Sequence, residues 1–366
     1  FRRDRQPASR DKGRGSSSMN QTLNGIRRIL ITILVAMGVG ALFIIAIGEN
    51  PIDAYAALFR GAFDGKLRLG TTLAGFTPLL LTSIAFAVAA KAGAFNVGVE
   101  GEVFLGGITA AYIGINWTFL PKPALYVTCF VGAMAVAAAW AFIPAVLRAY
   151  YNVNEVCTTI LMNTVALYIT SYLVSGPMSA GTANAQSLPV TVRLYQFMKP
   201  SSVNVGIFIA AITVIVIIFM LQKSSWGYKI RTVGLNPTHA DYVGIDSKKV
   251  FIGAMMLSGM LGGMAGCIEV LGVHGYFLNN FATGLGSNGM LAALIVKNNM
   301  VSTPFMAFFL AVLKSGAMGM QQSTGVPKSL VDTITAVFII IATMETAFQF
   351  AKKRKKKTEE KKEDKA

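Results

Sequence analysis

Long apolar runs are the feature that most limits what this chain can fold into. The first of them, residues 29–47, contains nineteen consecutive uncharged residues and follows Arg27 and Arg28. A helix of this length can cross a bilayer core of roughly 30 Å. Of the 366 residues, 54% are hydrophobic and only 14% are charged, whereas soluble domains carry about 25% charged residues. The sequence therefore predicts an all-α polytopic membrane protein.

Apolar runs of similar length recur along the chain and predict about ten transmembrane helices. We place these helices at residues 29–47, 70–90, 95–115, 123–147, 154–175, 205–221, 250–273, 283–297, 301–319 and 327–350. They form one transmembrane domain, residues 26–350, which lies between a basic N-terminal segment, 1–25, predicted to be disordered, and a charged tail, 351–366. An even number of spans puts both termini on one side, and the lysine-rich run at 352–357 assigns that side to the cytoplasm.

The formal net charge of +16 is concentrated in the tails, because residues 1–18 contribute +4 and residues 352–366 contribute +5. Basic tails beside membrane spans typically mark the cytoplasmic face and contact anionic lipids. We therefore expect membrane lipids, and no nucleic acid, as partners of these charges. The three cysteines lie in apolar runs without metal-ligand spacing, so no metal site is predicted.

The stretch 91–111, KAGAFNVGVEGEVFLGGITAA, places Glu100 and Glu102 among apolar residues. A carboxylate at the bilayer centre costs roughly 2.5–3.5 kcal/mol on insertion scales. Five glycines in this stretch indicate a break in the helix, and irregular backbone is tolerated in a membrane where it is buried in protein or lines a cavity. A similar segment, FATGLGSNGMLAALI at 281–295, follows five spans later. This odd offset predicts an inverted 5+5 repeat with broken helices.

Two glycine-rich patterns resemble nucleotide-binding motifs but lack their context. Residues 284–289 follow the pattern GxGxxG without a preceding strand, and GAFDGK at 61–66 has too few residues between its glycines for a phosphate loop. The chain also lacks convergent His, Cys or acidic pairs, so we do not expect an enzyme. Energy for moving a solute would then come from an ion gradient or from another chain.

The loop at 222–249 is the longest charged connection inside the transmembrane domain. Its turn and cap signals, Gly234, Asn236-Pro237 and Gly244, predict a short helix over 237–243. An isolated helix shorter than about 12 residues is marginal in water. We therefore expect this helix to pack against a partner on the cytoplasmic side.

Four motifs in this order resemble the branched-chain-amino-acid/ribose-type permease family of ABC importers, and within it the nucleoside and simple-sugar group. The motifs are FNVGVEGEVFLG at 95–106, NEVCTTILMN at 154–163, RTVGLNPTHADYVGI at 231–245 and GMQQSTGVPKSLVD at 319–332. The loop at 231–245 is similar to the coupling segment of such permeases, in which a short helix docks onto an ATPase.

The resemblance implies a non-catalytic permease subunit in the bacterial plasma membrane. Its partners would be a homologous permease subunit, either a second copy or a different chain, a cytoplasmic ABC ATPase and an extracytoplasmic substrate-binding lipoprotein. ATP and Mg²⁺ would bind to the ATPase, and this chain would hold no cofactor. The implied solute is small, neutral and polar, most simply a nucleoside. The alternatives are riboflavin or a simple sugar and, in a different class, an ion-gradient-driven secondary transporter.

The resemblance also assigns two groups of residues. Those expected along the substrate pathway are Phe95, Asn96, Glu100, Glu102, Asn163 and Asn288. Those expected at the ATPase are Gly234, Asn236, Pro237, His239, Asp241, Tyr242 and Gly244. Glu102 stands where many relatives have Gln, and Asn288 lies where relatives more often have an acidic residue nearby. For Glu100, a hydrogen-bonding role in the fold and a direct contact with the solute both stay open.

Overall fold

The computed structural model describes residues 37–325, apart from 47 and 183, together with residues 329, 332, 333 and 336. The chain divides into two compact units, Tyr55–Ser323 and the terminal segments Phe1–Ala54 with Thr324–Ala366. Apart from residues 37–54 and 324, the helices described below belong to the first unit. Three sequence predictions fall mainly outside the described residues: the disordered segment 1–25, the span 327–350 and the tail 351–366. Of the predicted span 29–47, residues 37–46 are described and are helical. The predicted domain boundaries therefore stay predictions.

The described residues are helical and contain no β-strand, only isolated backbone bridges. The helices are Met37–Ala46 (α1), Pro51–Phe63 (α2), Gly65–Lys91 (α3), Val99–Asn116 (α4), Lys122–Tyr151 (α5), Glu155–Ser175 (α6), Gly206–Lys223 (α7), Ser225–Leu235 (α8), Pro237–Tyr242 (α9), Ser247–Ile268 (α10), Leu285–Ile295 (α11) and Thr303–Thr324 (α12). Within this part of the chain, six helices are long and apolar enough to cross a membrane, or seven if α1 and α2 count as one span. The chain is thus a multi-pass membrane protein, and the total of ten spans stays a prediction.

Helix α3 begins earlier than the predicted span 70–90. Gly65 has a φ of +76° and forms the turn that starts the helix. The charges of Lys66 and Arg68 favoured a loop in the sequence, but long basic side chains at a helix end can lie along apolar surface while their charged groups reach water. The short helix that precedes α3 is α2, which has Asp53 in its first turn and Arg60 in its last turn, where each charge is favourable to the helix dipole.

Glycines allow α10 to contact its neighbours through the backbone. A Cβ atom at Gly259 would lie 2.6 Å from the carbonyl oxygen of Ala137 on α5, and a Cβ at Gly266 would collide with the carbonyl oxygen of Val103 on α4. Small residues permit this close approach of helices in membranes. Helix α10 therefore packs tightly against α4 and α5, and continues as a π-helical turn, Glu269–His274.

Both predicted helix breaks are present. Residues 92–98 are non-helical before α4, and residues 275–284 are non-helical before α11. Helix α11 has 11 residues, a length of about 16 Å, which is too short to cross a bilayer alone. Each break thus leaves a helix N-terminus inside the bundle. The inverted relation of the two halves stays a prediction.

The stretches assigned to the cytoplasm lie together at one end of the bundle. The backbone of Gly234, in α8, contacts that of Lys91, and the Lys248 ammonium lies 4.9 Å from the centre of the Tyr150 ring. At the opposite end, the hydroxyl of Thr191 donates to the carbonyl of Gly114 at 2.6 Å. This grouping agrees with the predicted topology, whereas the orientation of the bundle in the membrane stays a prediction.

Candidate substrate pathway and coupling surface

Asn96 organises the break before α4. Its side-chain amide donates to Glu102 Oε1 and to the hydroxyl of Ser258 on α10, each at 2.9 Å. Its side-chain oxygen accepts from the backbone N–H of Gly98 at 2.9 Å. Asn96 is completely buried. Its polar atoms are thus engaged in holding the turn to α4 and to α10.

Glu102 is buried beside this turn, with 1% of its surface exposed. Oε1 accepts from Asn96, whereas Oε2 has no hydrogen-bond partner among the described residues. An unpaired buried polar atom costs about 1–3 kcal/mol. A Cβ at Gly262 would lie 2.9 Å from Oε2, so α10 closes over the carboxyl group. In this conformation Glu102 lies in the packed core, and its predicted contact with a substrate stays a prediction.

Asn163, on α6, makes two hydrogen bonds to the backbone around the same break. Its side-chain amide donates to the carbonyl of Val97, and its side-chain oxygen accepts from the backbone N–H of Gly101, each at 2.8 Å. The first N–H groups of a helix lack partners within the helix. Since the residue before α4 is Gly98, which has no side chain to cap the helix, Asn163 provides a cap from a different helix.

Glu100 joins the two broken segments. Its Oε1 accepts from the backbone N–H of Gly284 at 3.0 Å, and its Oε2 accepts from the hydroxyl of Ser287 at 3.3 Å. Gly284, with φ +80°, is the residue that precedes α11, and a carboxylate is stabilising at a helix N-terminus. A Cβ at Gly286 would lie 2.6 Å from the backbone nitrogen of Glu100, so this glycine is needed for the close approach. This geometry favours the hydrogen-bonding role of Glu100, and a contact with the solute stays a prediction.

Asn288 and Phe95 differ in what they contact. Asn288 is half-buried in the first turn of α11, and its side-chain amide makes no hydrogen bond within the described ranges. Phe95 packs edge-on against Phe86, with 5.0 Å between ring centres. Of the six predicted pathway residues, Asn288 is thus the one whose amide is available to a ligand in this conformation. Ser287, its neighbour, was missed by the sequence analysis because a single serine in an apolar helix gives no signal.

The short helix predicted over 237–243 is present as α9, which ends at Tyr242, and its contact with an ATPase stays a prediction. Asn236 precedes it, and its side-chain oxygen accepts from the backbone N–H of His239 at 3.0 Å. Pro237 occupies the first turn, where its missing N–H costs nothing. Gly244, with φ +81°, ends the turn after the helix. These residues thus shape α9, as their cap and turn signals indicated.

Asp241 links α9 to the start of α10. Its two carboxylate oxygens accept from the backbone N–H and the hydroxyl of Ser247, each at 2.9 Å. Asp246 caps α10 by accepting from the backbone N–H of Lys249 at 3.0 Å. That hydrogen bond and the adjoining Lys249 ammonium lower the pKa of the Asp246 carboxyl group below its usual value. Asp241 therefore holds α9 to the start of α10, and Asp246 caps α10 itself.

Gly234 positions α8, a helix that the sequence analysis did not predict. A Cβ at Gly234 would collide with the carbonyl oxygen of Lys91, at the end of α3. Gly93, with φ +80°, lies on the other side of this contact. The glycine thus allows the loop to pack directly against the chain that leads into the break before α4.

Apolar side chains around α9 are exposed. Leu235 is 89% exposed and Tyr242 is 86% exposed, while Val243 and His239 are also accessible. We call Leu235, Tyr242 and Val243 the coupling surface. Large apolar side chains exposed on a cytoplasmic-side loop offer area that a partner can cover. Of these three residues the sequence predicts only Tyr242 at the ATPase, although Leu235 and Val243 are also apolar residues inside a charged loop.

Among the described residues, no group of His, Cys, Asp or Glu could hold a metal ion.

Comparison with known proteins assigns this architecture to a family of transport components. The family model described as "Branched-chain amino acid transport system / permease component" matches residues 68–343. The guanosine ABC transporter permease protein NupP of Bacillus subtilis is 32% identical over 337 residues, which cover 90% of this chain and 96% of NupP. The glucose ABC transporter permease protein TsgB13 of Haloferax volcanii is 32% identical and covers 85% of both chains. The nucleoside ABC transporter permease protein NupB of Lactococcus lactis is 30% identical, covering 88% of this chain and 91% of NupB.

Proposed function

Because this chain belongs to the permease-component family of branched-chain amino acid transport systems, we propose that it is the membrane-spanning subunit of an ATP-driven importer for nucleosides. The observation that supports the substrate class is the similarity to NupP, which extends over nearly the whole of both chains. NupB, also named for nucleosides, supports the same class. A simple sugar is the second candidate, because TsgB13, named for glucose, has the same identity as NupP.

The coupling surface is the docking site for a cytoplasmic ABC ATPase, which binds ATP and Mg²⁺. Leu235 and Tyr242 are too exposed to stabilise the isolated chain, but they offer apolar area that a partner can bury. An amphipathic helix set in an apolar groove is a common mode of recognition. In this arrangement the bundle end with α9 faces the cytoplasm, as do both termini.

Hydrogen bonds at two places along α10 connect α9 to the break before α4. Asp241 in α9 binds Ser247 at the start of α10, and Ser258, three turns further along α10, accepts from Asn96. A displacement of α9 on closure of the ATPase therefore moves α10 and the turn that it holds. This contiguous chain of contacts supports coupling between ATP hydrolysis and the substrate pathway.

The substrate passes beside Glu100, Ser287 and Asn288, where the two broken segments meet. A nucleoside is neutral and carries hydroxyl and base-edge groups that both donate and accept hydrogen bonds. The amide of Asn288 can do both, and the Ser287 hydroxyl needs only to leave Glu100. The remaining partners are a homologous permease subunit and an extracytoplasmic lipoprotein that delivers the nucleoside. This chain itself holds no cofactor.

The test is ATP hydrolysis by the complete complex in lipid nanodiscs. The binding protein is supplied loaded with guanosine, glucose or riboflavin in turn. We expect guanosine to stimulate hydrolysis and the other two to leave it at the basal rate. Stimulation by glucose or riboflavin alone would replace the nucleoside assignment. In sealed proteoliposomes, uptake that continues without ATP and stops when the ion gradient is collapsed would instead identify a secondary transporter.

A further inference from the structure

Helix α6 has an exposed face that is richer in hydroxyl groups than those of its neighbours. The residues of this face recur at spacings of three and four, so that they lie on one side of the helix. They are Cys157, Leu161, Thr164, Tyr168, Tyr172 and Ser175, all of them exposed. None of the four hydroxyl groups makes a hydrogen bond within the part of the chain that the structure describes. We call these six residues the α6 face.

The exposed faces of α5 and α7 provide an internal comparison. Every exposed residue of α7 between 206 and 221 is apolar, including Ile212, Ile215 and Phe219. The exposed residues of α5 between 124 and 147 are apolar as well. Lipid tails cannot accept or donate hydrogen bonds. The faces of α5 and α7 therefore suit lipid, whereas the α6 face suits water.

The preference of tyrosine for the membrane–water interface explains only the C-terminal end of the α6 face. Tyr172 and Ser175 lie in the last turn of α6, where aromatic residues commonly meet the headgroups. Thr164 lies 11 residues before Ser175, a distance of about 16 Å along the helix. Tyr168 is also further from the helix end, and it is 70% exposed. A headgroup position does not account for these two side chains.

Two side chains of α6 outside this face touch both broken segments. Asn163 binds the turn before α4, and the Ser171 hydroxyl accepts from the side-chain amide of Asn279, in the irregular stretch before α11, at 3.2 Å. The α6 face thus belongs to a helix that is attached to the place where Glu100 and Ser287 meet. The four exposed hydroxyl groups of the α6 face are therefore on the same helix as the side chains that bind the two non-helical segments.

We propose that the α6 face forms a wall of the water-filled path of the transported nucleoside, and that Tyr168 and Tyr172 stack against its base. The ligand class rests on the proposed function. The rings of these tyrosines are exposed, and an aromatic ring stacks on any nucleobase because every base has a π-face. The hydroxyl groups of Thr164 and Ser175 hydrogen-bond to water or to the ribose as the nucleoside passes.

Thiol labelling of the complete complex tests the presence of water. The background is Cys157→Ser, in which the remaining Cys129 and Cys267 are buried. Single cysteines are then introduced as Thr164→Cys on α6 or as the matched control Ile212→Cys on α7. A charged methanethiosulfonate that cannot enter lipid should react at least about tenfold faster at residue 164 than at residue 212, because only a hydrated thiol ionises to the reactive thiolate.

Equal labelling rates at residues 164 and 212 would place the α6 face in lipid. Protection of residue 164 together with a disulfide to the neighbouring permease subunit would make the face a subunit interface, and either result would overturn the proposal.

Substitution of Tyr168 tests stacking separately. Tyr168→Phe keeps the ring, and guanosine uptake should stay close to wild type. Tyr168→Ala removes the ring and should raise the guanosine concentration for half-maximal uptake between about fivefold and about a hundredfold, the range for loss of a stacked aromatic. Equal uptake by both variants would refute the stacking. Labelling at residue 164 depends on water and not on the solute, so it would persist if the nucleoside assignment itself failed in the hydrolysis assay.

Discussion

The two backbone hydrogen bonds of Asn163 lead to a quantitative prediction for Asn163→Leu. Leucine has a similar size but cannot hydrogen-bond, so the variant leaves the carbonyl of Val97 and the N–H of Gly101 without their partner. Each buried group left unpaired costs about 1–3 kcal/mol. Because Asn163 is only half-buried, water can reach part of the site. We therefore expect each of the two unpaired groups to cost about 1–1.5 kcal/mol, so that the free energy of unfolding falls by about 2–3 kcal/mol in total.

The assay is the thermal unfolding of the purified complex, followed by the fraction of permease that remains monodisperse after heating. Asn116→Leu is the matched control, since the Asn116 amide makes a single exposed hydrogen bond to the carbonyl of Tyr112 at 2.9 Å. This control should change the stability by less than about 0.5 kcal/mol. If the Asn163→Leu variant is as stable as the wild type but no longer takes up guanosine, the stabilising role of these hydrogen bonds is refuted. Asn163 would then act on the substrate, as the sequence resemblance implied.

Two further predictions concern coupling. Gly234→Ala should abolish guanosine-stimulated ATP hydrolysis because the new Cβ collides with the backbone of Lys91, whereas Gly75→Ala, which meets no atom within 4 Å, should leave it intact. Equal stimulated rates in the two variants would exclude a role for that backbone contact. The double variant Leu235→Ser with Tyr242→Ser should fold normally but lose the ATPase during affinity purification. The control Phe119→Ser, at a side chain that is 77% exposed elsewhere on the chain, should retain it. Retention of the ATPase by the double variant would place its docking site elsewhere.

Much of the helix pattern could be predicted because it depends on local sequence. Apolar runs gave the positions of α3 to α7 and α10, and the cap and turn signals around Pro237 gave α9. The glycines near Glu100 and Gly284 indicated the two breaks. Each of these signals acts over a few residues, through backbone conformation or the requirement for apolar side chains in lipid.

The partners of the polar residues could not be predicted in the same way. Asn96 meets Ser258 across 162 positions of the sequence, and Glu100 meets Gly284 across 184. Such pairs depend on how helices pack, which a single sequence does not encode locally. The same limit explains why the hydrogen bonds of Asn163 to Val97 and Gly101 could not be predicted, while its place along the pathway stays a prediction. Helix α8 was missed because its glycines at 227 and 234 favour a turn in isolation, whereas close packing against the backbones of Leu221 and Lys91 accounts for them.

The glycines of α10 have a consequence for how the bundle can move. Where two helices interlock through large side chains, a shift along the axis requires those side chains to change rotamer and climb over one another. Gly259 and Gly263 instead face the backbone of Ala137 and Ala133 on α5. The contact is completed by the small side chains of Ala137 and Ala141, which lie against the two glycines. At these two positions a shift of α10 along α5 therefore requires no large side chain to change rotamer. A bulky residue at Gly263 would collide with the carbonyl oxygen of Ala133 and force the two helices apart.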